Sequence, residues 1–191
     1  MLSGEFKNYL QFEKNFSTNT IIAYMRDLKS FEFFLNQQGV EISNDVNYSF
    51  IRHWIVFLSE KKYSKVSINR KIASLKSYFN FLVNIGELNS SPLKAHKNLK
   101  SSSKIVIPFT RTEINEVFDS FKFIDGNERD KLIIELFYST GIRRDELLNI
   151  RINNIDFDNY LIKISGKRDK ERIIPMLPKL SKNILNYIYK N

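Results

Sequence analysis

From residue 17 onward the chain places apolar side chains three or four positions apart, the spacing that gathers them on one face of an α-helix. Ile21, Met25, Leu28 and Leu35 form one stripe, with Asn19, Ala23, Arg26 and Ser30 opposite. Ser17 stands where its hydroxyl can accept an early helix N–H, and Gly39 supplies a stop, so the pattern predicts a helix from 17 to about 38. A short helix is predicted before it, over 2–14. Ile51, Trp54, Ile55 and Leu58 predict a third over 48–61. Ser64 caps a fourth, whose seam of Ile68, Ile72, Leu75, Phe79 and Leu82 advances by four and three in turn. Ser67, Arg70, Ser74 and Ser77 fall on the far side of that helix, with Lys71 and Lys76 on its flanks. Gly86 ends it, and Pro92 bars its resumption.

The periodicity then lapses. Residues 93–108 are rich in Lys, Ser and Asn and read as a basic linker, either a flexible tether or a strap crossing a DNA backbone. Thr110-Arg111-Thr112-Glu113 is a capping box that opens a helix to about residue 121. A helix over 128–140 turns Leu132, Ile133, Leu136 and Phe137 inward, and Gly141 ends it. Helix resumes over 143–149. Residues 155–164 read as strands with a turn at Asp158-Asn159, and 172–176 as a further strand after a turn at 166–169. A final helix covers 178–190. The chain is therefore expected to be mainly α, in two domains: 1–92 helical, and 109–191 helical with a small β-hairpin sheet.

Composition narrows the class. With 42% apolar residues and 16 Phe, both domains have material for a core, and only 6 Gly and 4 Pro break it up. The net charge is +9, and the first 108 residues carry fifteen basic against eight acidic side chains. Such a surface favours polyanions, nucleic acid first among them. The other reading is a solvated basic surface on a protein whose codons inflate Lys, Asn and Ile. There is no cysteine, which excludes disulfides, zinc-thiolate sites and cysteine nucleophiles and fits a reducing cytoplasm. No window matches a membrane span, and the N-terminus lacks the form of a signal peptide.

Two basic side chains could carry chemistry. Arg143 follows the helix-ending Gly141 on a short turn. A guanidinium fixed there can hold phosphate oxygens, unless it is spent pairing with Asp145 or Glu146. Lys167 follows Gly166 at a hairpin tip, where it can protonate a leaving oxygen, touch a base edge, or be an ordinary basic turn. Lys170 and Arg172 read as backbone contacts or solvated charges. His53 and His96 lack metal-ligand spacing, and no glycine-rich phosphate loop is present. No metal, nucleotide or other cofactor is expected.

Taken together, these segments resemble the tyrosine recombinase (phage integrase-like) family, in its bacterial Xer-type or transposon-integrase branches. The resemblance rests on Ser17–Leu28, Ser67–Phe79, Tyr138–Leu147 and Gly166–Pro175. It implies an N-terminal SAM-like four-helix core-binding domain and the first part of an α+β catalytic domain. It maps the first catalytic arginine to Arg143 and the catalytic lysine to Lys167. It also implies double-stranded DNA and other recombinase protomers as partners, with Arg26, Arg70, Lys71, Ser74 and Lys76 as candidates for the DNA-facing surface.

The family's reaction forms a 3′-phosphotyrosine link, with arginines holding the phosphate and the lysine protonating the departing 5′ oxygen. The family places further catalytic groups and the nucleophilic tyrosine downstream of the hairpin helix, and Tyr187 and Tyr189 lie too early to be that nucleophile. The chain is thus expected to be catalytically incomplete, binding DNA without cleaving it alone. Two alternatives stay open: a non-catalytic DNA-binding accessory or inhibitor of a full-length recombinase, and an unrelated helical DNA-binding module with a coincidental hairpin.

Overall fold

The computed structural model describes residues 3–40, 46–102, 105–121, 127–166 and 170–190. The chain divides into two compact units, Met1–Ile105 and Val106–Asn191. Described residues are mostly helical, with one small sheet, and no described helix is long and apolar enough to cross a membrane.

The first unit is built from α1 (Ser3–Asn8), α2 (Thr18–Asn36), α3 (Tyr48–Glu60) and α4 (Lys65–Asn84). The expected helix over 2–14 is α-helical only to Asn8 and continues as a π-helical turn, Tyr9–Glu13. There the Lys14 amide donates to the Tyr9 carbonyl at 3.0 Å. The wider turn lets two successive residues, Tyr9 and Leu10, both face the core. The serine caps form as expected: the Ser17 and Ser64 hydroxyls accept the amides of Thr20 and Ser67. Asn47 caps α3 by accepting from Ser49 at 2.9 Å.

The predicted apolar seams meet in one core, with Leu28, Phe31, Leu35, Ile51, Trp54, Leu75 and Phe79 fully buried. Phe6 of α1 closes its end, stacking edge-on against Tyr78 at 5.2 Å. Residues beyond α4 dock on this unit. Leu93 is fully buried, and the Asn69 amide of α4 both donates to and accepts from the Leu99 backbone at 2.9 Å. His96 meets the Tyr48 hydroxyl at 3.1 Å.

The second unit holds α5 (Arg111–Ser120), α6 (Glu128–Thr140), α7 (Arg144–Leu148), strands β1 (Ile155–Asp156), β2 (Leu161–Ser165) and β3 (Glu171–Pro175), and α8 (Pro178–Lys190). The capping box at Thr110 and Glu113 is closed in both directions. The strands pair antiparallel in the order β1-β2-β3, with Ile162 opposite Ile174 and Ile164 opposite Arg172. Along β2 only Ile162 and Ile164 are buried, so one face of the sheet packs on Leu136, Ile142, Leu180 and Ile184. Directly opposed residues share a face in an antiparallel pair. Arg172 therefore stands on the apolar side of the sheet. Asn183 of α8 donates to Glu135 of α6 at 2.8 Å and joins the two helices.

Replacing Leu75, which is fully buried in the core of the first unit, with Ala leaves a void at the middle of α4. We expect a loss of about 2–5 kcal/mol. Urea unfolding followed by the fluorescence of Trp54, the one tryptophan, checks it; an unchanged midpoint contradicts the packing described.

Candidate functional site

In the second unit, α6 ends at Gly141, whose φ of +61° is the left-handed conformation that glycine adopts without cost. Its amide returns to the Phe137 carbonyl at 3.0 Å. Ile142, next along, is buried in the core and anchors the turn. Arg143 then sits at the N-cap of α7 with extended backbone. Its backbone amide donates to Glu146 Oε2 at 2.8 Å, and its guanidinium Nη1 donates to Oε1 at 3.0 Å. The side chain is nevertheless 78% exposed. Arg143 therefore pairs with Glu146 through one side-chain N–H while most of its side chain stays exposed. Arg144 takes Asp145.

Glu146 is the hub. Its side chain is 6% exposed. Besides Arg143 it receives a fork from Arg172, Nη1 to Oε1 and Nη2 to Oε2, both at 2.8 Å. The hydrogen bonds from Arg172 and from the Arg143 amide outweigh the desolvation and hold its carboxyl at about 2. Arg172 is thus a partner in an internal ion pair and not simply a solvated charge, which corrects that part of the sequence reading. The missed signal was the period of β3, where Arg172 alternates with Ile174 on the side that packs. An arginine on a buried face requires a carboxylate.

The same carboxylate touches the hairpin. The Gly166 amide donates to the Lys170 carbonyl at 2.7 Å, closing the base of the β2–β3 turn. A Cβ at Gly166 would meet the Lys170 carbonyl at 3.2 Å and Glu146 Oε1 at 3.4 Å. The space there is tight rather than closed, and it is close approach, not backbone angle, that favours glycine. Lys167, the proposed general acid, lies outside the described residues. Its described neighbour Gly166 is against the carboxylate that holds Arg143. Among the described residues no three His, Asp or Glu side chains gather to hold a metal ion.

In the first unit, the residues expected to face DNA separate into two groups. Arg26 and Lys76 are exposed. Arg26 lines an open groove with Lys7 and Lys29, and Lys76 lines another with Lys14, Asn80 and Lys94. The other three converge on Asp27, which is fully buried. Arg70 forks it with Nη1 to Oδ2 at 2.5 Å and Nη2 to Oδ1 at 2.9 Å. Lys71 Nζ reaches Oδ1 at 3.2 Å, and the Ser74 hydroxyl reaches Oδ2 at 2.9 Å.

Ser74 is fully buried and Lys71 is 7% exposed, so these two are corrected from DNA contacts to internal supports. Lys71, Ser74, Tyr78 and Phe81 form a second helical row facing the core, beside the apolar seam. Their polarity disguised that row, because Asp27 supplies the partners. Lys71 also lies over the rings of Tyr63 and Trp54, at 5.4 and 5.9 Å. Burial pushes the Asp27 carboxyl up, and the bonds from Arg70, Ser74 and Lys71 more than offset it, leaving it below the usual carboxylate range.

Comparison with known proteins gives matches over both units. The family model described as phage integrase, N-terminal SAM-like domain, matches residues 4–86, and that of the phage integrase family matches 108–191. A tyrosine recombinase XerC of Syntrophus aciditrophicus (strain SB) is 34% identical over 99% of this chain and 64% of its own length. The XerC of Listeria monocytogenes serotype 4a (strain HCC23) is 32% identical over the same shares. The chain spans about 60% of the length of the curated relatives it matches. Among solved structures, the Tn1549 transposon integrase in complex with transposon right end DNA aligns with a TM-score of 0.79 at 19% identity. That alignment covers 99% of this chain and 65% of that one. A lambda integrase tetramer bound to a Holliday junction gives 0.73 at 17% identity, covering 91% and 49%. These two likenesses establish the fold.

The Glu146 site has a pH signature. Its carboxyl lies at about 2 in the fold against an ordinary 4.5, so the folded state favours the charged form. The contribution is complete above pH 4.5 and is lost as pH falls from there towards 2. We expect the urea midpoint of the second unit, read from the NMR signals of Ile162 and Ile164, to drop across that window. Glu146→Gln should lower the midpoint at neutral pH and remove its share of the slope. An unaltered pH profile in the variant counts against the assignment.

Proposed function

The chain belongs to the phage integrase family of tyrosine recombinases, and on that premise we propose that it acts in site-specific DNA recombination by binding duplex DNA and presenting Arg143 to the scissile phosphate. The observation that carries this is the Arg143 turn. Its backbone is fixed by Gly141, Ile142 and Glu146, while 78% of the side chain stays open to a ligand. A donor set oriented before the substrate arrives is what stabilising a crowded phosphoryl transition state demands.

In the reaction that the family resemblance implies, a tyrosine hydroxyl attacks phosphorus, forming a P–O(tyrosine) bond as the bond to the 5′ oxygen breaks. Arg143 neutralises the non-bridging oxygens, and Lys167 gives the departing oxygen its proton. One phosphoester replaces another, so no outside energy source enters. The first unit supports the DNA reading through its charge, with Arg26, Arg70 and Lys76 on its surface. We place the protein in the cytoplasm, to which a cysteine-free composition is suited, and take further recombinase protomers as its partners.

The test is a salt titration of the wild-type chain on a 30-bp duplex, followed by fluorescence anisotropy. Counterion release predicts affinity falling by about 10³–10⁵ between 50 and 200 mM salt if six to ten phosphates are engaged. Arg143→Ala should reduce the slope of log affinity against log salt by about one. No binding at micromolar protein in low salt, or a flat response, overturns the proposal. A steep wild-type slope left unchanged by Arg143→Ala keeps DNA binding, removes Arg143 from the phosphate, and favours the accessory reading.

A further inference from the structure

The Asp27 knot has a property that a purely structural ion pair would not need. A guanidinium carries five N–H groups, four of them paired along two edges. Asp27 occupies only the end edge, through Nη1 and Nη2. Nε and the outward N–H groups have no other hydrogen-bond partner among the described residues, and 42% of the Arg70 side chain is exposed. The carboxylate cannot turn aside, because Lys71 and Ser74 also hold it and it is fully buried.

The free edge opens on a particular surface. Along α4 the exposed positions Arg70, Ala73, Lys76, Asn80 and Asn84 share one side, and the helix contains no acidic residue. Successive members are three or four residues apart, so they form one strip of small, amide or basic side chains. Its members Ala73, Lys76, Asn80 and Asn84 include no aromatic or branched apolar side chain.

We propose that Asp27 is a positioning residue: it fixes the Arg70 guanidinium from beneath so that its free edge takes the oxygens of one DNA phosphate. This rests on the DNA-binding reading above and assigns a role to a residue that never reaches the ligand. A free arginine side chain must be ordered on binding, and one already clamped has been ordered by folding. A fork held at its end edge also meets a phosphate through two parallel N–H groups rather than one.

Charge gives the test its sign. Removing a negative group from a DNA-binding protein raises affinity for a polyanion when only net charge matters. If Asp27 positions Arg70, Asp27→Asn lowers affinity instead. The measurement is anisotropy on the 30-bp duplex at 50–300 mM salt, at a temperature where circular dichroism shows each variant folded. We expect Asp27→Asn to bind several-fold more weakly and Arg70→Gln to lose about one from the salt slope. The double variant should be no weaker than Arg70→Gln.

Arg70→Lys guards against a variant that does not fold. It keeps the charge and an Asp27 partner but lacks a second edge, so affinity should fall several-fold at unchanged net charge. Tighter binding by Asp27→Asn, or wild-type affinity in Arg70→Lys, overturns the proposal while leaving DNA binding intact. Failure of the wild type to bind is instead the failure of the function proposed above.

Discussion

A carboxylate taken out of water stays charged only where donors surround it, and each unit of this chain is organised round one such group. Asp27 receives Arg70, Lys71 and Ser74. Glu146 receives Arg143 twice and Arg172 twice. Removing a donor from such a set strands a buried charge, which is costlier than the set is stabilising. The donors are therefore bound to the carboxylate as much as it is to them. In both units the constraint joins segments far apart in sequence: α2 to α4 in the first, the α6–α7 turn to β3 in the second. Apolar contacts build the cores, but these two groups fix the register in which polar side chains leave them.

The apolar seams were legible because they rest on local rules. Ile68, Ile72, Leu75 and Phe79 announce a buried helical face by spacing alone, and Ser17, Ser64 and Thr110 announce helix starts by what a hydroxyl can accept. The polar interior was not legible in the same way. Lys71 and Ser74 read as outward because their type outweighs their position. Only a carboxylate 44 or 47 residues earlier makes burial tolerable, and no spacing rule links residues so far apart. A trace was nonetheless present. Asp27 lies between Tyr24 and Phe31 on the apolar side of α2, and Arg172 alternates with Ile174 on β3. A charge on an apolar stripe marks a partner on some other element. The π-helical turn at Tyr9–Glu13 left no such trace, since its cause is the demand that two consecutive residues both reach the core.

Glu146 gives the second unit more than a single ion pair could. Gly141 stops α6, Ile142 pins the turn, and the carboxylate then binds the Arg143 amide, the Arg143 guanidinium and Arg172 together. Gly166 lies against the same oxygen that accepts from Arg143 and Arg172, at a distance a Cβ would bring to 3.4 Å. The base of the hairpin and the arginine turn are thereby referred to one atom. A shift of β3 along β2 would break the Arg172 fork, so the sheet register Ile164–Arg172 and the placement of Arg143 depend on one another.

The arginines of these two knots differ in how many donors each commits. Arg172 gives two N–H groups to Glu146 and is 40% exposed; Arg143 gives one from its side chain and is 78% exposed. The forked arginine ties strand to carboxylate, while the singly bonded one leaves more of its side chain exposed. Arg70 matches Arg172 in both respects. It gives a full end-on fork, yet at 42% exposure it still turns an unused edge outward. An arginine can be structural and available at once because its donors lie along separate edges of one plane, whereas a lysine's three donors share one nitrogen and offer no second paired edge. Lys71 shows the contrast on the same carboxylate: with its ammonium drawn to Asp27 and its side chain 8% exposed, it is left with support alone.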